Sequence, residues 1–194
     1  MSASGGLHGH QVIVSWQGQD IVTLAPLWPQ PLRAVIVGIN PAKDSARAGH
    51  YYQGPMGKDA IALLREVGIL APARAGVFAD TAAQERGIGF TDMVPRPTRR
   101  GEDLDRDEKR LGGARLRSQI AVHRPPVVLA VFREPVEALL GRRYGSVGLQ
   151  SARFEGIPVF KLPVRFTPRA ERTQAVEDLA ALWRELYPND RGVR

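Results

Sequence analysis

Three short stretches of this chain hold the residues with chemistry to offer. In the first, Gly38-Ile39-Asn40-Pro41 closes an apolar run and opens a polar loop; Asp44 stands four residues after Asn40, and Tyr51 and Tyr52 follow in the same loop. An asparagine is no strong base, yet its carbonyl can orient a water; Gly-x-Asn-Pro is equally ordinary turn chemistry. Asp44 is either a true base or a solvated loop carboxylate. The two tyrosines offer flat faces on which a planar group can stack, or they pack the loop itself. The second stretch, Gly89-Phe90-Thr91-Asp92-Met93-Val94-Pro95-Arg96-Pro97-Thr98, ends in an Arg-Pro-Thr sequence that no simple rule of local structure demands. The third, Leu162-Pro163-Val164-Arg165-Phe166-Thr167-Pro168-Arg169, sets two arginines around an apolar ring.

Other chemistries find few residues. The chain has no cysteine, which excludes disulfides, thiol nucleophiles, iron–sulfur ligation and Cys-based zinc sites. Its histidines, His8, His10, His50 and His123, show no ligand spacing, so no metal site is expected. The glycines form neither a dinucleotide-binding nor a phosphate-loop fingerprint. No metal and no organic cofactor is expected.

The elements that must position these stretches read as strand, loop and helix in repeated order. Ala34–Val37 is a short β-branched run suited to a buried parallel strand, followed by a polar loop to Gly57. Ile61, Leu64 and Val67 recur at helical spacing, with Gly68 as a stop. Ile88–Val94, Val127–Phe132 and Pro158–Leu162 are further strands. Helices are expected up to about His123 (weakened by Gly112 and Gly113), over Glu134–Leu140 and over Glu171–Leu186. The pattern predicts an α/β fold: a three-layer αβα sandwich around a short, mostly parallel central sheet. Ligands of such sheets sit at the carboxyl ends of the strands, here the loops after Val37, Val94 and Leu162. Ahead of this, Gln11–Trp16 and Asp20–Leu24 flank Gln17-Gly18-Gln19 as a β-hairpin. The expected organisation is an N-terminal extension over 1–31, its Gly- and Ser-rich first nine residues mobile, and one domain over 32–190.

Composition bounds the partners. Over 194 residues, 27 Lys and Arg against 20 Asp and Glu leave a formal charge of +7, which favours a polyanionic partner. No run approaches the ~20 apolar residues of a membrane helix, and the first ten residues lack a secretory pattern. A soluble, cytoplasmic monomer is the expectation.

Taken in order, the three stretches resemble the uracil-DNA glycosylase superfamily, on its mismatch-specific uracil and thymine branch. Gly38-Ile39-Asn40-Pro41 is similar to the first signature, with Ala42 where a glycine is usual. Ala48-Gly49-His50-Tyr51-Tyr52 lies where the family has an aromatic loop, and Gly89–Thr98 resembles its Arg-Pro-Thr block. Leu162-Pro163 starts the second signature, but Val164–Arg169 departs from it and lacks the serine that grips phosphate. The resemblance covers about residues 32–187 and implies removal of a flipped-out pyrimidine, uracil above all, from damaged or mismatched DNA. On that implication Asn40 holds the attacking water, with Asp44 as a fallback base. Tyr52, or Tyr51 if the alignment slips by one, stacks on the base, and backbone N–H groups near Ile39 and Tyr52, beside Gly38, meet its carbonyl oxygens. Phe166 and Arg169 are wedge candidates, Lys43, Arg165 and Arg169 phosphate contacts, and Thr167 belongs to the same DNA-facing loop. Arg96 and Thr98 read as scaffold for the catalytic loop. A non-catalytic binder of lesions or abasic sites, and a hydrolase of free nucleosides, are the alternatives.

Overall fold

The computed structural model describes residues 6–72 and 74–190. A hairpin of Gln11–Trp16 (β1) and Gln19–Leu24 (β2) precedes Ala34–Gly38 (β3), a strand buried along its whole length. The helices Lys43–Ala48 (α1), Pro55–Glu66 (α2) and Ala79–Gln84 (α3) lead to the strand Ile88–Asp92 (β4). Next come the long helix Arg106–His123 (α4), the strand Val128–Ala130 (β5) and the helix Arg133–Leu140 (α5). The strands Gly148–Phe154 (β6) and Ile157–Lys161 (β7) and the helix Arg169–Leu186 (α6) follow.

Five strands make one sheet in the order β4-β3-β5-β7-β6, all parallel except β6, which runs antiparallel to β7. The two-residue period of a strand sends alternate side chains to opposite faces. Ala34 and Ile36 join Phe90, Leu129 and Phe160 under Leu64, Leu179 and Trp183 of α2 and α6. Val35 and Val37 join Val128 and Val159 under Leu116, Ile120 and Val136 of α4 and α5. Each of the Val, Leu, Ile and Phe side chains, once buried, contributes roughly 1.5–3 kcal/mol. The three layers therefore follow from strands that are apolar on both faces.

Several elements differ from the sequence reading. Residues 43–48, read as loop, form α1. The helix α2 begins at Pro55, where the missing N–H of proline costs nothing at a first helical position. Gly112 and Gly113 do not weaken α4: both are buried, and a Cβ on Gly112 would lie 2.5 Å from Val94 Cγ2, so glycine lets the helix close on the loop after β4. Nothing in the sequence marked β6, whose Leu149, Ser151 and Arg153 alternate outward on a sheet edge. Val131 and Phe132 leave the strand early and turn into α5.

The N-terminal extension is tied to the sheet. Leu27 pairs with Phe90 through two backbone hydrogen bonds of 2.7 and 3.0 Å, so this segment covers the outer edge of β4. Residues 1–5 lie outside the described residues, but within the stretch expected to be mobile His8 is held: its Nε2 lies 2.9 Å from the Arg47 carbonyl, and the following His10 N–H donates to the Gly49 carbonyl at 2.8 Å. Thr23 Oγ1 donates to the Pro95 carbonyl at 2.5 Å. Among the described residues no helix is long and apolar enough to cross a membrane.

Beneath that extension, where Trp16 Nε1 donates to Glu108 Oε1 at 3.4 Å, lies a polar anchor of the fold. Arg96 Nε and Nη2 donate to Glu108 Oε1 and Oε2 at 2.5 and 2.6 Å, and Glu108 is 2% exposed. Asp105 caps α4, receiving the Glu108 N–H at 2.8 Å, while the Asp105 N–H donates back to the Glu108 carboxylate at 3.1 Å. The Arg96 hydrogen bonds outweigh burial and hold the Glu108 carboxyl at about 2, below its ordinary 4.5. A carboxyl whose pKa is lower folded than unfolded stabilises the fold above its unfolded value and loses that effect as pH falls toward the folded one. Glu108→Gln is expected to lower stability at neutral pH by ~1.5–3 kcal/mol, the range for hydrogen bonds to a charged group, because Arg96 keeps part of its surface in solvent. Denaturant titrations should show its gap to the parent closing as pH falls from about 4.5 to about 2; a gap independent of pH would dismiss the ion pair as the anchor.

Candidate active site

The strand β3 lies between β4 and β5, so the chain leaves it first to one side and later to the other. At such a divergence the loops separate and leave a crevice. The crevice holds a cavity of about 310 Å³, lined by the loop after β3, by Tyr51 and Tyr52, by the first turn of α2, by Asp92, by Thr98–Gly101 and by Phe132. That volume is at the small end of ligand sites.

Asn40 is held on one wall by the Arg-Pro-Thr stretch. Its amide nitrogen donates to the Arg96 carbonyl at 2.8 Å and to Thr98 Oγ1 at 2.7 Å. Thr98 spends its own hydroxyl proton on the Arg100 carbonyl at 2.6 Å, so toward Asn40 it can act only as an acceptor. This fixes which end of the carboxamide faces the anchor. Oδ1 is left without a protein donor among the described residues, on a side chain that lines the cavity. Backbone bonds lace the two loops together as well: Val94 N–H to the Ile39 carbonyl at 2.7 Å, Thr98 N–H to Pro41 at 3.1 Å, and Lys43 N–H to Thr98 at 3.1 Å. Arg96 and Thr98 thus serve as the scaffold expected of them.

The facing wall is built from Tyr52, Gly57, Gly38 and Asp92. Tyr51 is a core residue: it is 2% exposed, its hydroxyl donates to the Ala25 carbonyl at 3.1 Å and its N–H to Asp80 at 2.7 Å. Tyr52 is half-buried with φ of 60°, an αL conformation uncommon for a side chain of this size, and its buried hydroxyl has no partner. A Cβ on Gly57 would lie 2.5 Å from Tyr52 Cβ, so α2 presses directly on this residue. A Cβ on Gly38 would lie 2.1 Å from Asp92 Oδ1 and 3.4 Å from the Tyr52 hydroxyl. Burial pushes the Asp92 carboxyl up to about 7 against the pull of Arg115, whose Nη1 donates to the Asp92 carbonyl at 2.7 Å. Burial, with Asp92 next, also raises the Tyr52 phenol well above its ordinary value. The wall therefore ends in a carboxyl group that changes from donor to acceptor near neutral pH.

Gly38, Ile39, Asn40, Tyr51 and Tyr52 all line the cavity. Asp44 does not: it lies in the first turn of α1, exposed and paired with Arg47, which removes it as a base at this site. Lys43, Arg165, Phe166, Thr167 and Arg169 lie outside the lining too. Arg165 Nε bonds Asp59 of α2 at 3.0 Å, and the Thr167 hydroxyl accepts the Val164 N–H at 3.0 Å to close the turn. Phe166 is 83% exposed, so the alternative that it belongs to the core is set aside. Arg169 is exposed at the start of α6. These residues share the carboxyl edge of the sheet with the cavity without entering it.

Asp92, Phe132, Arg99 and Arg100 were not anticipated as site residues. A carboxylate at the last position of a mostly apolar strand is the signal that could have pointed to Asp92. Two arginines directly after Arg-Pro-Thr point to a basic rim; neither forms an ion pair among the described residues.

Comparison with known proteins places the chain in a family. The family model described as the uracil DNA glycosylase superfamily matches residues 26–186. A G/U mismatch-specific uracil DNA glycosylase of Schizosaccharomyces pombe is 27% identical over 135 residues, 66% of this chain and 42% of the relative. The chain therefore spans less than half the length of that relative.

The crowding at Gly38 is open to test. Gly38→Ala is expected to cost ~1–3 kcal/mol as an overpacking change. In an Asp92→Ala background the same substitution should cost much less, because the two sites share one clash. Equal costs in both backgrounds, from chemical denaturation, would place the strain elsewhere.

Proposed function

Because the chain belongs to the uracil DNA glycosylase superfamily, we propose that it is a DNA-repair glycosylase that hydrolyses the N-glycosidic bond of uracil flipped out of DNA. The observation that carries this reading is the fixed carboxamide of Asn40, its nitrogen tied to Arg96 and Thr98 and its oxygen left for a water in the cavity. A base within the duplex is out of reach, so the nucleotide must swing out, at a cost of a few kcal/mol that is lowest at a mismatch. Bond breaking then leaves positive charge on the sugar and negative charge on the departing base. Asn40 Oδ1 orients the water toward the sugar carbon; an already electrophilic centre asks for orientation more than basicity. Tyr52 supplies the stacking face.

Asp92 gives the base edge its partner. Protonated, it donates to a uracil carbonyl while its own carbonyl accepts the N3–H, a two-bond match. Ionised, it loses the donor and repels the charge that develops on the leaving base. The rim of Arg99 and Arg100, with Lys43 and Arg169 further out, suits the flanking phosphates, and exposed Phe166 suits the gap left by the flipped nucleotide. The second reading, a lesion binder without catalysis, draws support from the Val164–Arg169 loop, where Arg165 is committed to Asp59 and no serine is present.

Labelled duplexes with uracil opposite guanine or adenine, then alkali, separate these readings. Strand breaks are expected, reduced ~10²-fold or more by Asn40→Ala and unchanged by Asp44→Ala. Tight binding without breaks would establish the second reading instead. The rate on uracil should fall as pH rises through about 7, and Asp92→Asn, which keeps a donor and an acceptor at every pH, should flatten that limb. An unaltered limb in the variant would remove Asp92 from base recognition. In binding measured against salt, Arg99→Ala and Arg100→Ala should each reduce the log–log slope by ~1.

A further inference from the structure

Next to Tyr51, and outside the lining of the cavity, the fold gathers three residues that are widely separated in the chain. His10 precedes β1, His50 precedes the tyrosine pair, and Asp80 lies in the first turn of α3. His50 Nδ1 is 3.0 Å from Asp80 Oδ1, and His10 Nε2 is 3.6 Å from Asp80 Oδ2. One ligand atom from each residue lies within 4.8 Å of both others. We propose that His10, His50 and Asp80 bind one divalent transition-metal ion of the zinc type, which latches the N-terminal hairpin to the loop carrying Tyr52.

The donor set and its support fit such an ion. With Zn–N and Zn–O bonds of ~2.0–2.1 Å, neighbouring ligand atoms of a tetrahedron stand ~3.3 Å apart, close to the 3.2 and 3.6 Å that separate His50 Nδ1 and His10 Nε2 from Asp80 Oδ2. Asp80 is fully buried, and its carboxylate receives the Tyr51 N–H at 2.7 Å and the Thr81 N–H at 2.8 Å. These outer bonds orient it as ligating carboxylates are oriented in metal sites. Phe78 stacks on the His50 ring at 3.6 Å and fixes its plane. His10 Nε2 is buried with no hydrogen-bond partner, too far from Asp80 to donate to it. A buried ring nitrogen without a partner is costly, and an ion between it and the carboxylate satisfies both. Two imidazoles and one carboxylate suit zinc, cobalt or nickel, whereas magnesium and calcium call for oxygen ligands. Water would complete the coordination. The separations of 40 and 30 positions along the chain explain why sequence spacing gave no hint of a metal site and why none was expected.

The test uses the full chain, stripped with a chelator and dialysed against Zn²⁺ or Co²⁺, with bound metal measured by elemental analysis. The parent and His123→Ala, whose histidine stacks on Trp28, should each hold about one equivalent and gain several degrees in Tm. His10→Ala and His10→Gln, confirmed as folded by circular dichroism, should lose both the metal and the shift; the glutamine variant guards against a folding defect in the alanine one. Metal retained by either His10 variant, no metal in the parent, or an equal Tm response to Mg²⁺ would each overturn the proposal. None of these readouts depends on glycosylase activity.

Discussion

One side-chain amide is the point on which the site depends. Asn40 must offer its oxygen to the cavity in one orientation, and that orientation exists because both directions of donation around it are already spent. Its nitrogen is committed to the Arg96 carbonyl and Thr98 Oγ1, and the Thr98 proton to the Arg100 carbonyl. This holds only while residues 95–101 keep their path, and they keep it because Arg96 is clamped to Glu108 at the capped start of α4. The helix in turn lies close to that loop because Gly112 has no side chain to keep Val94 away. A contact one layer below the cavity therefore bears on the direction of a single C=O.

The opposite wall obeys a different rule, steric rather than polar. Gly57 lets α2 seat Tyr52 in its αL conformation, and Gly38 leaves room for the Asp92 carboxyl beside the tyrosine hydroxyl. Crowding a carboxyl among apolar and phenolic neighbours is what moves its titration to about 7. The same burial that makes the pocket suitable for an apolar ring face gives it a titratable edge.

The α/β plan was legible because the central strands are short apolar runs bounded by loops, the pattern of strands covered on both faces. That Asn40 and Tyr52 would share one cavity could be read for another reason: their stretches stand in order ahead of a long, specific block, Gly89–Thr98. Local composition could not reveal β6, whose Gly148–Phe154 alternates polar residues along an exposed edge. It could not reveal α1, since Lys43–Ala48 reads as polar whether coiled or looped. Asp44 looked like a base beside Asn40 in the chain, but one turn of helix rotates it into solvent. Asp92 was hidden by its setting, because a carboxylate in a strand is ordinarily exposed, and only the packed sheet shows that it faces a cavity. Adjacency in sequence and adjacency in a site diverge most where a helix begins.

Placing the reactive amide and the titratable carboxyl on separate walls has a consequence for selectivity on the proposed reading. A carboxamide that orients water lends no basicity, so discrimination must come from how well a base is seated before the bond breaks. The partners of the base edge are Asp92 and backbone groups near Ile39 and Tyr52, while the stacking face of Tyr52 accepts any planar ring equally. A site built to hydrogen-bond a partner rejects one that leaves its buried groups unpaired far more strongly than an apolar slot rejects an added atom. Seating therefore outweighs stacking in deciding which base is removed, and the buried carboxyl at the end of β4, more than the aromatic loop, sets that choice.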